Sequence, residues 1–363
     1  MHLLSEKRMD MNKNAKELPR KQKRRLSKKG RRKRRIRRIL TLELVLIILL
    51  IPVVFALMTL SKIQVYEADL DSLAQNDVND ANMDNYTNLV VYGVDSRANE
   101  LDQNTRSDSI IIVSIHKKTK DIKLSSIYRD TFVSIDDHGY TKINHAYAYG
   151  GPSLSISTIN KNLDLNITDF VTVNFSALTN VIDLLGGIEL TITEDELEYV
   201  NAYTRDVAHI NEMDYTYIKS AGTQTVTGVQ ATGYCRVRYT AGGDFTRAER
   251  QRTVLKAIFE KAKHSNPITL YKVANEILPQ IYTSLSTTEI LKLGAALPFY
   301  HMTDSQGFPL DNALGKINSA SVVVPTTLSE NVTSLHEYLF GTSGYVPSDT
   351  VQGISGQIAA YGY

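Results

Sequence analysis

Residues 89–128 decide the fold: LVVYGV (89–94), the polar insert DSRANELDQNTRSD (95–108), SIIIVSIH (109–116), the turn KKTKD (117–121) and IKLSSIY (122–128). Three short runs rich in Val and Ile and bounded by polar clusters read as strands over Leu89–Val94, Ser109–His116 and Ile122–Tyr128. The short polar turn makes a hairpin of the last two. In a hairpin the start of one strand and the end of the next share an edge, so Asp108 is expected near Arg129. If the first strand is also antiparallel to the second, Asp95 joins them. Two carboxylates (Asp95, Asp108) and two arginines (Arg106, Arg129) then meet at one rim, either as a site or as ordinary surface ion pairs, which are worth little.

Downstream the elements alternate. Helical spacing runs over Pro152–Leu163 and Ser176–Leu185, with a strand at Asp169–Phe175 between them and Gly186-Gly187 ending the second helix. Further on the pattern predicts a strand at Tyr234–Tyr239, a long amphipathic helix over Thr246–Lys263, helices over Ile268–Ile277 and Thr288–Leu297, and a strand at Ala320–Val324. This order predicts a layered α/β domain with a central mixed sheet, spanning 88–340. The Gly/Ser/Tyr-rich tail 341–363 reads as flexible.

Upstream the charge is sharply partitioned. Residues 1–38 carry 18 Lys/Arg and 3 Asp/Glu, a net +15, whereas the rest carries 23 and 36, a net −13. The apolar run LVLIILLIPVVFALMTL (44–60) follows directly. With the residues before it, the run approaches the roughly 20 needed to cross a bilayer, so 39–61 is expected to be a single transmembrane signal-anchor helix. The positive-inside rule places the arm 1–38 in the cytoplasm and everything after about residue 62 outside. A cleaved signal peptide fits less well, because Ser72-Leu73-Ala74 lies far beyond the apolar run. The membrane is the expected partner of the basic arm and nucleic acid is disfavoured. The Asp/Asn-rich segment 62–87 reads as a stalk.

Composition and motif searches remove several chemistries. With 42% hydrophobic residues the chain can bury a core, and its one cysteine, Cys235, forbids an internal disulfide or a thiolate metal cluster. There is no GxxxxGK[ST], HExxH or GxSxG, and the eight histidines form no pair at metal spacing. His145 and His209 read as structural or surface residues.

A second set of arginines remains. Strand alternation over YCRVRY (234–239) sends Arg236 and Arg238 to one face and Cys235, Val237 and Tyr239 to the other. In DFTRAERQR (244–252), Arg247 and Gln251 fall within the apolar stripe of Val254, Leu255, Ile258 and Ala262 and point inward. Inward arginines at a helix N-terminus suit an anion such as a phosphate; a buried structural salt bridge is the rival reading.

At these residues the chain resembles the LytR-CpsA-Psr family of Gram-positive cell-envelope proteins. The resemblance runs through GVDSR (93–97), TRSDSI (105–110), YRDT (128–131), KINHAYAYGG (142–151), LLGGIEL (184–190), YCRVRY (234–239) and DFTRAERQR (244–252), in the family's order behind one anchor. It implies an α-β-α sandwich holding a polyprenyl chain, with pyrophosphate at an arginine-lined mouth. It also implies transfer of a glycopolymer, of teichoic acid or capsular polysaccharide type, from undecaprenyl pyrophosphate onto peptidoglycan. By resemblance Arg106, Arg129, Arg236, Arg238, Arg247 and Gln251 grip the pyrophosphate, and Asp95 and Asp108 hold Mg²⁺, or Mn²⁺ in its place. Asp95, Arg106, Arg129, Arg238 and Arg247 form the expected catalytic set, with Asp95 a candidate base. Tyr128-Arg129-Asp130 stands where many members have Pro-Arg-Asp or Arg-Gln, which keeps the arginine and leaves Asp130 unassigned. A polyprenyl-pyrophosphate binding protein or pyrophosphatase, and a transcriptional attenuator, are the alternative functions.

The charge partition makes a topological prediction. Protease added to intact protoplasts should digest residues after about Val65 and spare the basic arm; full protection of the folded domain would reverse the orientation.

Overall fold

The apolar runs between 86 and 127 form three adjacent antiparallel strands, and the rest of the fold is laid on them. The computed structural model describes residues 64–65, 73, 75–94, 101 and 105–362. The arm 1–38 and the apolar segment 39–61 lie outside the described residues, as does Asp95. Among the described residues no helix is long and apolar enough to cross a membrane.

In chain order the elements are β1 (Gln64–Val65), β2 (Tyr86–Val94), β3 (Ser107–His116), β4 (Asp121–Ile127), β5 (Phe132–Ile135), β6 (Gly139–Lys142), α1 (Asn144–Leu163), β7 (Asp169–Asn174), α2 (Phe175–Leu184), β8 (Ile188–Ile192) and α3 (Glu194–Asn211). There follow β9 (Gly222–Val226), α4 (Gly228–Arg236), α5 (Gly243–Lys263), α6 (Pro267–Ile277), β10 (Tyr282–Thr283), α7 (Thr287–Ala296), β11 (His301–Phe308), β12 (Asn312–Ile317), β13 (Ala320–Pro325), α8 (Leu328–Phe340) and α9 (Asp349–Ala359). The main sheet has the order β1-β10-β7-β2-β3-β4-β11 and mixes parallel with antiparallel pairs.

Alternation along the strands supplies both cores. Val90, Tyr92, Ile110 and Ile112 point to the layer of α1, α8 and α9. Leu89, Ile111, Val113 and Leu124 point the other way, toward Leu255 and Phe259 of α5 and Leu293 of α7. The expected helix-sheet-helix layering is therefore present. A satellite core joins α2, α3, α4 and the β8-β9 ribbon to Val254 of α5. The β3-β4 register pairs Ile110 with Ile127, which sets Asp108 and Arg129 two residues beyond, at one rim.

Three expectations are corrected. The segment 234–239 is not a strand: Thr227 and Gln230 form a capping box that starts α4, which runs to Arg236 before the chain leaves extended at Val237. Helix initiation and tight packing override the local alternation. Gly233 shows the tightness, since a Cβ there would lie 2.8 Å from the Thr204 amide nitrogen. The tail 341–363 is not loose over its described part, because α9 buries Val351, Ile354 and Ile358 against α1 and β5, and Tyr345 is buried too. The described part of the 62–87 stalk also belongs to the domain. Leu73 and Met83 enter the core, and Asp80 Oδ2 meets His336 Nδ1 at 2.8 Å while its Oδ1 accepts from Thr342 Oγ1 at 2.8 Å. Asp164, in the left-handed conformation at the end of α1, accepts from Asn76, Tyr345 and Ser348 and so ties the two segments together. The polar composition that suggested linkers instead supplies buried hydrogen-bond hubs.

Deleting 342–363 removes four buried apolar side chains, each worth about 1.5–3 kcal/mol. A large drop in thermal midpoint is expected; an unchanged midpoint would restore the loose tail.

Candidate functional site

The rim set up by β3 and β4 collects charge from four directions. Arg129, just after β4, donates from Nη1 to Asp108 Oδ1 at 2.6 Å and from Nε to Asp244 Oδ2 at 3.2 Å. Asp244 lies in the first turn of α5, where a carboxylate complements the helix dipole. Its Oδ1 is 3.6 Å from Arg247 Nη1 and 3.7 Å from Arg238 Nε. Gly242 makes the sharp entry into α5 at φ +86°, where a Cβ would lie 2.1 Å from Thr246 Oγ1. Three guanidinium groups thus draw on Asp108 and Asp244, while Asp130, 4.0 Å from Arg129 Nε, is shared with Lys142.

The shortage of negative charge falls on Arg247. It is 5% exposed, donates from Nη2 to the Asp108 carbonyl at 3.3 Å, and has no partner for Nε among the described residues. Burial, reinforced by Arg129 and Arg238, pushes it down to about 10 against the opposing pull of Asp244. For Arg129, burial is outweighed by Asp108 and Asp244, which hold it above its usual value. A buried guanidinium short of counter-charge is costly on its own and has the chemistry to pair with an anion.

Arg250, one turn further along α5, realises the structural salt bridge instead. It is 2% exposed; Nε and Nη2 meet Glu196 Oε1 at 2.9 and 2.8 Å, Nη1 donates to the Val237 carbonyl at 3.1 Å, and Nη2 to Thr240 Oγ1 at 2.7 Å. These bonds fasten the segment 237–240 that carries Arg238. Burial works against ionised Glu196, yet hydrogen bonds from Thr193 and Arg250 hold its carboxyl below the usual range.

Cavities open from this cluster on different sides. A chamber of about 150 Å³ is lined by Arg236, Arg238, Arg247, Gln251 and Asp108 together with Phe175, over whose ring the Arg236 guanidinium lies at 5.4 Å. Arg236 and Arg238 do share this chamber, as the last residue of a helix and an extended residue two further on. Tyr239, expected on one face with Cys235 and Val237, is 73% exposed whereas those two are buried. The chamber adjoins an apolar cavity between the sheet and α5, lined by Val91, Ile111, Val173, Leu178, Val254 and Leu255. A larger cavity of about 440 Å³ on the other flank of Arg247 is lined by Ile110, Ile127, Phe245 and Val322. Cys235, buried beside both smaller cavities, has its thiol pushed up to about 12 by burial, so it is no nucleophile at neutral pH.

The structure brings Asp108, Arg129, Arg236, Arg238, Arg247 and Gln251 together. Arg106 stands apart, exposed, on a separate polar cavity with Lys142 and His145. Asp95 lies outside the described residues, so its pairing with Asp108 is not described. Among the described residues no group of three His, Cys, Asp or Glu side chains converges as a metal site. Sequence reasoning missed Asp244, although an acidic residue directly after Gly-Gly and opening an arginine-rich helix was the available signal.

The architecture is a helix-sheet-helix fold in which an apolar cavity adjoins a chamber lined by Arg236, Arg238 and Arg247. The chain belongs to the LytR_cpsA_psr family, whose model matches residues 53–332. It is 33% identical over 186 residues to the polyisoprenyl-teichoic acid–peptidoglycan teichoic acid transferase TagT of Bacillus subtilis strain 168, covering 50% of this chain and 55% of that one. It is 32% identical over 208 residues to TagU of Bacillus cereus strain ATCC 14579, covering 56% and 62%. The matches thus span less than two thirds of either relative. A solved structure of TagT with bound octaprenyl pyrophosphate lipid superposes with a TM-score of 0.55 at 23% identity, covering 77% of this chain and all of that one, and supports the fold.

Arg247 and Arg250 should respond oppositely. Arg250→Ala leaves Glu196 buried without its partner and should cost about 3–5 kcal/mol of stability. Arg247→Ala relieves an uncompensated charge and should leave the thermal midpoint near wild type while abolishing binding of a polyprenyl pyrophosphate. Equal destabilisation by both would make Arg247 structural.

Proposed function

We propose that this protein is a phosphotransferase that moves a glycopolymer of teichoic acid or capsular polysaccharide type from undecaprenyl pyrophosphate to peptidoglycan, leaving a phosphodiester link. The observation that carries the reading is Arg247, a buried guanidinium short of counter-charge that lines both the arginine chamber and the larger cavity, the chamber itself adjoining an apolar cavity. A free inorganic anion would need no apolar cavity, and a neutral lipid would leave the arginines unmatched. TagT, the named relative, is a transferase and has been solved with a polyprenyl pyrophosphate, which supports the same assignment here.

In this reading the polyprenyl chain lies between the sheet and α5, and its pyrophosphate sits among Arg129, Arg236, Arg238 and Arg247, with Gln251 at the junction. Phosphoryl transfer asks for positioning and charge neutralisation more than covalent help, and preset guanidinium groups supply both without reorganisation. Asp244 orients Arg129, Arg238 and Arg247 toward one point. Attack by an acceptor hydroxyl on the sugar-bearing phosphorus then releases polyprenyl phosphate.

Asp108 presents hard oxygen donors at the rim, with one oxygen taken by Arg129. That suits a cation that binds through one or two carboxylates plus substrate phosphate and water. Asp108, with Asp95, would hold Mg²⁺ or Mn²⁺, which would neutralise pyrophosphate charge. The apolar segment 39–61 would anchor the chain in the cell membrane with the catalytic domain outside, where its acceptor lies.

Two measurements test this. Native mass spectrometry of protein purified from a producing cell should show a co-purifying polyprenyl phosphate or pyrophosphate. Transfer of a lipid-linked saccharide to a glycan strand should stop on chelation and return with Mg²⁺ or Mn²⁺. Release of free saccharide phosphate to water with no acceptor product would make the protein a pyrophosphatase, and full transfer after exhaustive chelation would remove the metal.

A further inference from the structure

The polar cavity beside Arg106 shares only its edge with the walls assigned above to the donor. Its volume is about 400 Å³, and it meets the arginine cluster through Asp108, Arg129 and Asp130. Thr105, Arg106, Lys142, Asn144 and His145 complete its lining, so every side chain facing it is polar or charged. Both other openings that reach Asp108 include apolar or aromatic walls. A cavity lined only by residues with polar or charged groups suits a hydroxylated ligand rather than a lipid.

Two further observations point to a ligand. Asn144 is 3% exposed, and its Oδ1 has no hydrogen-bond partner among the described residues. Such an acceptor is costly to bury unless something donates to it. Asp130, which a resemblance to the family left unassigned, bridges the two regions: its Oδ1 lies 3.1 Å from Lys142 Nζ and 4.0 Å from Arg129 Nε. The charge of the arginine cluster is thereby carried into the polar cavity.

His145 lies in the first turn of α1 and lines this cavity. Its Nδ1 is 3.0 Å from Thr141 Oγ1 and 3.5 Å from the Tyr149 hydroxyl. The tautomer in which Nδ1–H donates to Thr141 leaves the lone pair on Nε2.

Resting on the phosphotransferase reading, we infer that this cavity is the acceptor subsite, which takes a hydroxylated sugar of a glycan strand, and that His145 is the general base for its hydroxyl. Nε2 accepts the hydroxyl proton as the sugar oxygen bonds to the saccharide-bearing phosphorus. The bond from that phosphorus to the bridging oxygen breaks, and the oxygen leaves with the polyprenyl phosphate. The imidazolium then returns its proton to solvent. Asn144 and Lys142 position the sugar.

The charges around the ring favour this role. Burial, then Arg106 and Lys142, lower the imidazole below its usual 6.5, and Asp130 opposes them. Tyr149 is the other titratable group in contact. The ring is therefore unprotonated at neutral pH, and activity should fall only as the pH drops through its lowered value.

The test uses the full chain in detergent, a polyprenyl-pyrophosphate-linked saccharide as donor and an uncrosslinked glycan strand as acceptor. His145→Gln should bind the donor as wild type does in native mass spectrometry, transfer about 100-fold more slowly or worse, and lose the acid limb of the pH profile. Lys142→Met should raise the acceptor concentration needed for half-maximal rate, with donor binding unchanged. Wild-type transfer and an intact acid limb in a folded His145→Gln protein would overturn the base assignment. Unchanged acceptor dependence in Lys142→Met, or loss of donor binding in either variant, would overturn the subsite. Failure of the wild-type chain to bind donor would instead remove the phosphotransferase reading beneath it.

Discussion

Arg129, Arg238, Arg247 and Lys142 share the carboxylates of Asp108, Asp130 and Asp244 at the rim of the central sheet, and the rest of the site follows from that imbalance. Asp108 and Asp244 hold Arg129 on both sides, so its charge is met within the fold. Arg238 and Arg247 receive only the remaining contact with Asp244, at 3.7 and 3.6 Å. A like-charge cluster of this kind repels itself, and burying it costs more still. It persists because its bearers are fixed independently: Arg129 by strand register, Arg247 by the N-terminal turn of α5, and Arg238 by a loop that Arg250 fastens. The scaffold thus offsets a local cost that an incoming polyanion would relieve.

Arg247 and Arg250 show how neighbouring residues of one type divide the work. Both are buried, both lie on α5, and both sit in the same short motif. Arg250 finds a carboxylate, a carbonyl and a hydroxyl, which makes it a rivet between α3, α5 and the arginine-bearing loop. Arg247 finds one carbonyl and a long contact to a shared carboxylate. Chemical type does not separate them; the completeness of their partner sets does.

The cavities around the cluster divide by surface chemistry. Apolar residues line the space between the sheet and α5, arginines line the chamber, and polar or charged residues line the cavity beyond Arg129; the proposed reading gives these the hydrocarbon chain, the anion and the hydroxylated partner. Asp108 and Arg129 stand where the last two meet. The segments 73–85 and 342–359 pack in the layer of α1 and α8, and Asp80, Asp164, His336 and Tyr345 tie them together without lining any of these cavities.

Much of this was legible in the residues alone. Period-two runs placed β2, β3 and β4, and the tight Lys117–Asp121 turn brought Asp108 to Arg129, because a hairpin's register is a local property. Helical periodicity likewise turned Arg247 and Gln251 inward. What local pattern could not supply was pairing across distance. Tyr234–Tyr239 alternates like a strand, yet a capping box opening at Thr227, seven residues before it, and packing against Thr204 make its first half the end of a helix. The polar segments 73–87 and 342–362 read as loose, because a sequence does not show that Asp80 meets His336 or that Asp164 meets Tyr345 and Ser348. Whether an inward arginine is a rivet or a binding group likewise depends on partners 54 residues away, as for Arg250 and Glu196, or 139 away, as for Arg247 and Asp108. Local propensity and periodicity act over a few residues, whereas compensation of a buried charge is settled only when the chain closes on itself.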